Sequence, residues 1–197
     1  MSEFCDQQAH WLPDYALYLA IQSSEEGRDW IDWENKDLKN RQPAAIKKAQ
    51  EYYTEEIQFQ IFLQYQFHSQ WMTIKEYANK KDIQIIGDIP IYVALQSADV
   101  WKHQSCFDLD ENGHPNHVAG VPPDYFCTDG QLWGNPLYNW EAMAKNHYQW
   151  WMRRLEHALW LFDTVRIDHF RAFSAYWSVP GDAETARNGE WLPGPSM

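Results

Sequence analysis

The sequence predicts an α/β fold whose strands run parallel, of the kind that builds a (β/α) barrel. Three observations predict it. Two short, β-branched runs, Ile83–Val93 and Asp163–Arg171, each carry an acid at or near the end of the apolar stretch. Each is preceded by a long segment with helical periodicity, 43–81 and 140–162, and a helical crossover between strands makes the strands parallel. Between the first strand and the second helix lies a Gly- and Pro-rich segment, 94–139, too long for an ordinary connection and therefore of the functional-loop kind. Two such strands cannot close a barrel of eight, which takes roughly 250 residues.

In chain order, Trp11–Ala20 reads as a helix whose nearly continuous apolar residues imply burial, and 22–42 as an irregular surface loop around Gly27 and the Trp30/Trp33 pair. Pro43 suits a helix start, and Ile46, Ala49, Tyr53, Ile57, Ile61, Tyr65, His68 and Met72 step by three or four along one core-facing stripe of one long helix or two in sequence. The run Ile83–Val93 reads as a buried strand ending in Gly87, Asp88 and Pro90. Asn112-Gly113 marks a tight turn inside the 94–139 loop. Asn139 is a helix N-cap for 140–162, with Trp140, Met143, His147, Trp151, Leu155 and Leu159 on one stripe. After the Asp163–Arg171 strand, also read as buried, 172–180 is expected as a short helix and turn and 189–195 as loop.

Composition narrows the function. A net charge of −12 and a pI near 5.0 repel nucleic acid and anionic membrane surfaces and favour a neutral ligand. No apolar run approaches the roughly 18 residues of a membrane-spanning helix, and the first residues form no signal peptide, so a cytoplasmic protein is expected. Cys5, Cys106 and Cys127 have neither disulfide nor zinc spacing and read as reduced thiols, and His103, His114 and His117 as solvated surface histidines; no metal and no cofactor is expected. With 12 Trp, 11 Tyr and 9 Phe, the chain is rich in groups that stack on sugar rings while bonding their hydroxyl rims, although any single aromatic serves a core equally well.

The chemistry concentrates in Arg166-Ile167-Asp168-His169. On a strand, Arg166 and Asp168 share a face, and a guanidinium beside a carboxylate keeps it ionised, as a nucleophile requires. Spacing alone fits a structural ion pair equally well. Asp88, at the corresponding end of the other strand, is either a site acid or a turn former beside Gly87.

Four motifs decide between these readings: Gly87-Asp88-Ile89-Pro90-Ile91-Tyr92-Val93 with Ser97-Ala98-Asp99-Val100-Trp101; Val118-Ala119-Gly120-Val121-Pro122-Pro123-Asp124-Tyr125-Phe126; Gly130 to Tyr138; and Arg166 to Arg171. With them the chain resembles the 4-α-glucanotransferases of glycoside hydrolase family 77, in the α-amylase superfamily. The resemblance runs from Trp11 to Pro195. It implies a partial (β/α)8 TIM barrel with a long inserted active-site loop region at 94–139, and a retaining transfer of α-1,4-glucan segments. Asp168 matches the nucleophile and Arg166 its partner. Asp88, Tyr92, Asp124, Gln131, Trp133, Asn135 and His169 match substrate-binding positions, with Trp133 as the stacking residue, the loop through Asp124 as a mobile active-site loop and Arg171 supporting the nucleophile.

The implied partners are maltooligosaccharides, starch or glycogen, with glucose as an acceptor. The implied location is the cytoplasm, or the plastid in a photosynthetic eukaryote. Residues 1–197 are expected to be an internal fragment of the catalytic barrel domain, inactive alone because the general acid and a third aspartate lie on later strands, and prone to self-association through open sheet edges. Cys127, Asp129, Ser174 and Ser196 depart from the family pattern. A non-catalytic glucan-binding module and an α-glucan hydrolase are the competing readings.

Overall fold

The computed structural model describes residues 1–195, so Ser196 lies outside the described residues. The chain divides into two compact units, Met1–Ile83 and Gln84 onward.

The first unit is helical: α1 (Ser2–Gln7), α2 (Leu12–Ser24), α3 (Lys36–Lys39), α4 (Pro43–Tyr52) and α5 (Thr54–Asn79). α2 carries Pro13 in its first turn and buries Leu12, Ala16, Leu17, Tyr18, Ala20 and Ile21, as the apolar run predicts. The expected surface loop at 22–42 is more ordered than that. A 3-10 turn at Trp30–Asp32 sinks Trp30 into the core, Trp33 lies buried 5.7 Å from the Tyr18 ring, and Asn35 caps α3 by accepting from the Asp37 and Leu38 amides. The 43–79 stretch is two helices, parted at Tyr53. Beside it the Thr54 hydroxyl donates back to the Gln50 and Glu51 carbonyls, competing with the helical ladder. Along α5 the expected core stripe is not fully covered. α2 packs against α5, yet no described residue of α5 is buried, and Phe59, Phe67 and Tyr77 stand more than half exposed.

The second unit holds two sheets. β1 (Ile86–Pro90) and β4 (Thr164–Asp168) pair in parallel, in the register Ile86↔Thr164 through Asp88↔Arg166 to Pro90↔Asp168. Neither is the buried strand expected from its apolar run. Arg166 and Asp168 lie on the exposed face and Val165 and Ile167 on the half-buried one, against which α8 (Gln149–Leu161) packs. Close packing there requires Gly87, since a Cβ at that position would stand 2.1 Å from the Phe162 ring.

β2 (His117–Val121), β3 (Gln131–Pro136), β5 (Ala175–Pro180) and β6 (Glu190–Pro193) form an antiparallel sheet in the order β3-β2-β5-β6. It occupies stretches expected as loop (β2, β3, β6) and as helix and turn (β5). A short helix, α6 (Ala98–Lys102), capped by Ser97, separates β1 from it. The 140–162 helix is also two pieces, α7 (Trp140–Ala144), capped by Asn139 as predicted, and α8. His147 and Tyr148 take positive φ between them, and the Asn146 carboxamide accepts from the Gln149 amide to start α8. Among the described residues, no helix is long and apolar enough to cross a membrane.

Candidate active site

The parallel pair delivers three ionisable groups to one exposed face. The Arg166 guanidinium grips Asp88 with two of its nitrogens, Nε donating to Oδ1 at 2.9 Å and a terminal NH2 to Oδ2, while that NH2 stands 3.8 Å from the Asp168 carboxylate. The sequence reading paired Arg166 with Asp168; the tight partner is Asp88. Register explains the difference. Asp88 is the cross-strand neighbour of Arg166, about 5 Å away across the ladder, whereas Asp168 lies two residues along the strand, roughly 6.6 Å. The hydrogen bond from Arg166 holds the Asp88 carboxyl below its ordinary range, with the guanidinium charge acting in the same direction.

Beyond the strand ends opens a cleft of about 510 Å³, lined by Pro90 to Ala94, Ser97, Asp99, Trp133, Asn135, Asp168 and His169. It brings together five of the predicted residues: Tyr92, Trp133, Asn135, Asp168 and His169. Trp133 projects from β3 just before Gly134, whose φ of +76° kinks the strand. Its indole N–H donates to the Gln131 carboxamide at 3.1 Å, and its ring meets the His169 imidazole edge-on at 4.9 Å. His169 itself adopts a left-handed φ of 52°, which turns the chain out of β4 and into a 3-10 turn at Phe170–Phe173. Burial lowers its pKa, against the attraction of Asp168 and with the help of Arg171, which favours the neutral ring.

Other predicted residues act on the protein itself. Asn135 donates its Nδ2 to the Val93 carbonyl at 2.9 Å, pinning β3 to the segment after β1. Tyr92 is 5% exposed and stacks on Tyr138 at 5.6 Å, its hydroxyl pKa raised by burial and by nearby Tyr176. Asp124 lies apart from the cleft lining and accepts from the Phe126 and Cys127 amides, folding its own loop and leaving Tyr125 and Phe126 at 96% and 93% exposure. Gln131 stands outside the lining and accepts from the Trp133 indole that forms part of it.

Three residues given no site role from the sequence shape the cleft, although Ser97 and Asp99 stand in one of the family motifs. Ser97 and Asp99 line it, and Asp99 also accepts from the Trp150 indole at 3.2 Å. Arg154, on α8, donates to the Pro90 carbonyl at 2.6 Å and the Ile91 carbonyl at 3.1 Å while lying over the Trp151 ring at 4.8 Å. Arg154 is one of two adjacent arginines on a helix that carries three tryptophans, and nothing in the spacing singles it out from Arg153.

The whole chain, residues 1–197, matches the family model described as 4-alpha-glucanotransferase. A 4-alpha-glucanotransferase of Aquifex aeolicus is 46% identical over 195 residues, covering 99% of this chain and 40% of that protein. The chloroplastic/amyloplastic 4-alpha-glucanotransferase of Solanum tuberosum is 45% identical over 185 residues, covering 94% of this chain and 32% of that protein. Among solved structures, the amylomaltase of Streptococcus agalactiae in complex with acarbose superposes with a TM-score of 0.94 at 41% identity, covering 98% of this chain and 39% of that one. The chain thus spans about 40% of the length of the relatives first matched.

Proposed function

The chain belongs to the 4-alpha-glucanotransferase family, glycoside hydrolase family 77, and on that premise we propose that Asp168 is the nucleophile of a retaining transfer between α-1,4-glucans. The fold covers part of the (β/α)8 barrel of the α-amylase superfamily, and residues 1–197 are read as an internal stretch of its catalytic domain. One observation carries the reading. Asp168 ends a parallel strand beside a guanidinium, and it opens onto a cleft walled by a half-exposed tryptophan, which is how barrel enzymes place their reacting groups. The acarbose held by the streptococcal amylomaltase supports a saccharide ligand for it.

In the first step an Asp168 carboxylate oxygen attacks the anomeric carbon, the glycosidic C–O bond breaks, and the leaving oxygen departs with the bonding pair and takes a proton from a second carboxylic acid. In the second step a hydroxyl of an acceptor glucan or glucose attacks the same carbon, gives its proton back to that acid, and releases Asp168. Two inversions give retention. Trp133 offers the ring face on which a glucosyl unit stacks, and His169 offers an imidazole edge to its hydroxyls. The work belongs in the cytoplasm, or in the plastid for a plant form.

The resemblance puts the acid that protonates the leaving oxygen outside these 197 residues, and the test uses a donor that needs no proton. Fluoride leaves a 5-fluoro-α-glucosyl fluoride unprotonated, and the ring fluorine slows the second step. Mass spectrometry should then find one glycosyl group on the peptide containing Asp168, absent in Asp168→Asn. An adduct elsewhere, or none, overturns the assignment. In the full-length enzyme, which supplies the second carboxylate for the acceptor's proton, plain α-glucosyl fluoride with maltose should give maltotriose, and free glucose alone sinks that half of the proposal.

A further inference from the structure

On the antiparallel sheet, Trp177 and Val179 of β5 face the core around Val118 and Ala186. Tyr176 and Ser178 therefore face the other way, with Leu192 opposite Tyr176 and Ala119 opposite Ser178. That second face floors a cavity of about 520 Å³ which shares no lining residue with the Asp168 cleft, and whose volume lies within the roughly 300–1,000 Å³ of small-molecule sites.

Its walls are chemically specific. Ser178 is 1% exposed, and its hydroxyl has no hydrogen-bond partner among the described residues, although buried hydroxyls almost always find one. Asp108 is held in place by the Asn116 carboxamide at 2.9 Å and by the His117 ring nitrogen at 2.8 Å. His117, expected as a solvated surface residue, is thus tied into this wall. The Tyr138 hydroxyl is already spent on the Ile91 carbonyl at 2.6 Å, so this 3%-exposed residue adds only a ring edge to the lining, beside the Trp140 ring 4.9 Å away.

No lysine or arginine lines the cavity, and its carboxylates, Asp108 and Glu141, repel anions. No cluster of metal-binding side chains exists among the described residues. A buried hydroxyl in want of a partner, a fixed carboxylate and flat apolar rings together suit a neutral ligand bearing many hydroxyls.

We propose that this second cavity binds a neutral sugar ring, whose hydroxyls bond Ser178 Oγ and the Asp108 carboxylate while Trp140 flanks its apolar face. That the sugar is a glucosyl unit rests on the function proposed above. The two sites meet at one wall, where Tyr138 of the second cavity stacks on Tyr92 of the first.

The test labels the chain with 5-fluorotryptophan and titrates it with maltose, following the Trp133 and Trp140 fluorine resonances, assigned by Trp→Phe substitution, as separate reporters of the two cavities. Trp140 should move saturably. Ser178→Val should weaken the affinity read at Trp140 by about tenfold, the worth of one lost buried hydrogen bond, while leaving the Trp133 response as in wild type and so certifying the fold. Ser178→Ala, which cannot overpack the site, should weaken it similarly. A stationary Trp140 resonance, or the same midpoint in all three proteins, overturns the proposal. Movement at Trp140 with a silent Trp133 upholds this site and removes the glucan reading of the cleft; the converse pattern does the reverse.

Discussion

Arg154→Met is the most informative perturbation of the frame behind the cleft. The arginine gives two charge-assisted hydrogen bonds to consecutive carbonyls, Pro90 and Ile91, at the point where β1 turns into the Tyr92 segment. Such bonds contribute about 1.5–3 kcal/mol each, and stacking over Trp151 and Trp150 adds about 0.5–1 kcal/mol. Two features lower that total. Ile91 O keeps the Tyr138 hydroxyl as a donor, and Pro90 is exposed enough for water to replace the guanidinium. Burial of the cation, which pulls the Arg154 pKa down against the opposing pull of Tyr138 and Asp99, is also relieved on substitution. Met preserves the packing of the stem. The expected net loss is about 2–3 kcal/mol, read as a lower midpoint in urea unfolding followed by tryptophan fluorescence. Arg154→Lys should recover at most about half, because an ammonium cannot fork onto both carbonyls as a guanidinium does. A loss below about 0.5 kcal/mol for Met, or full recovery by Lys, would refute the view of Arg154 as a two-point brace.

Gly87→Ala forces a methyl into the Phe162 ring and should cost about 1–3 kcal/mol, seen as a melting temperature several degrees lower; an unchanged melt means the ring simply swings away. The Asp88–Arg166 pair predicts a pH effect whose sign is fixed by the lowered Asp88 pKa. Its contribution to stability is present above the ordinary carboxylate value of 3.8 and is lost as pH falls through the lower folded value. Carboxyl carbon NMR should place the Asp88 titration below 3.8 in wild type and return it toward that value in Arg166→Gln; identical titrations in the two proteins would show that the ion pair does not form in solution.

The parallel pair was legible because its two apolar runs are separated by enough helical sequence to force a crossover. The face shared by Arg166 and Asp168 followed from strand alternation. The antiparallel sheet was not legible, and its residues show why. β2 carries Gly120 where a Cβ would strike the Gln131 carbonyl at 2.5 Å, so the residue that permits the strand pairing also erases the strand signal. In β5, Tyr176, Ser178 and Val179 are all buried, and burial on both faces removes the polar–apolar alternation that marks a strand. The exposure of β1 and β4 was hidden for a related reason. Valine and isoleucine report a preference for strands but not how many layers cover them.

The candidate site divides in the same way. The family motifs assigned Tyr92, Trp133, Asn135, Asp168 and His169 to one site and the fold brings them to one cleft, but motif matching could not tell a group facing a ligand from one facing the backbone. Asn135 and Asp124 spend their side chains on the protein's own carbonyls and amides. The Arg166 contact shows what register adds. An arginine locked onto the nucleophile by two hydrogen bonds would occupy both carboxylate oxygens and blunt the attack. With the fork taken by Asp88, directly opposite in the parallel ladder, the guanidinium charge stays 3.8 Å from Asp168 while leaving that carboxylate without a bidentate clamp. On the reading of Asp168 as nucleophile, Asp88 is thus a positioning residue, since both its oxygens bond Arg166 and it stands outside the residues that line the cleft. It holds the charge near the reacting oxygen and keeps the donors away from it.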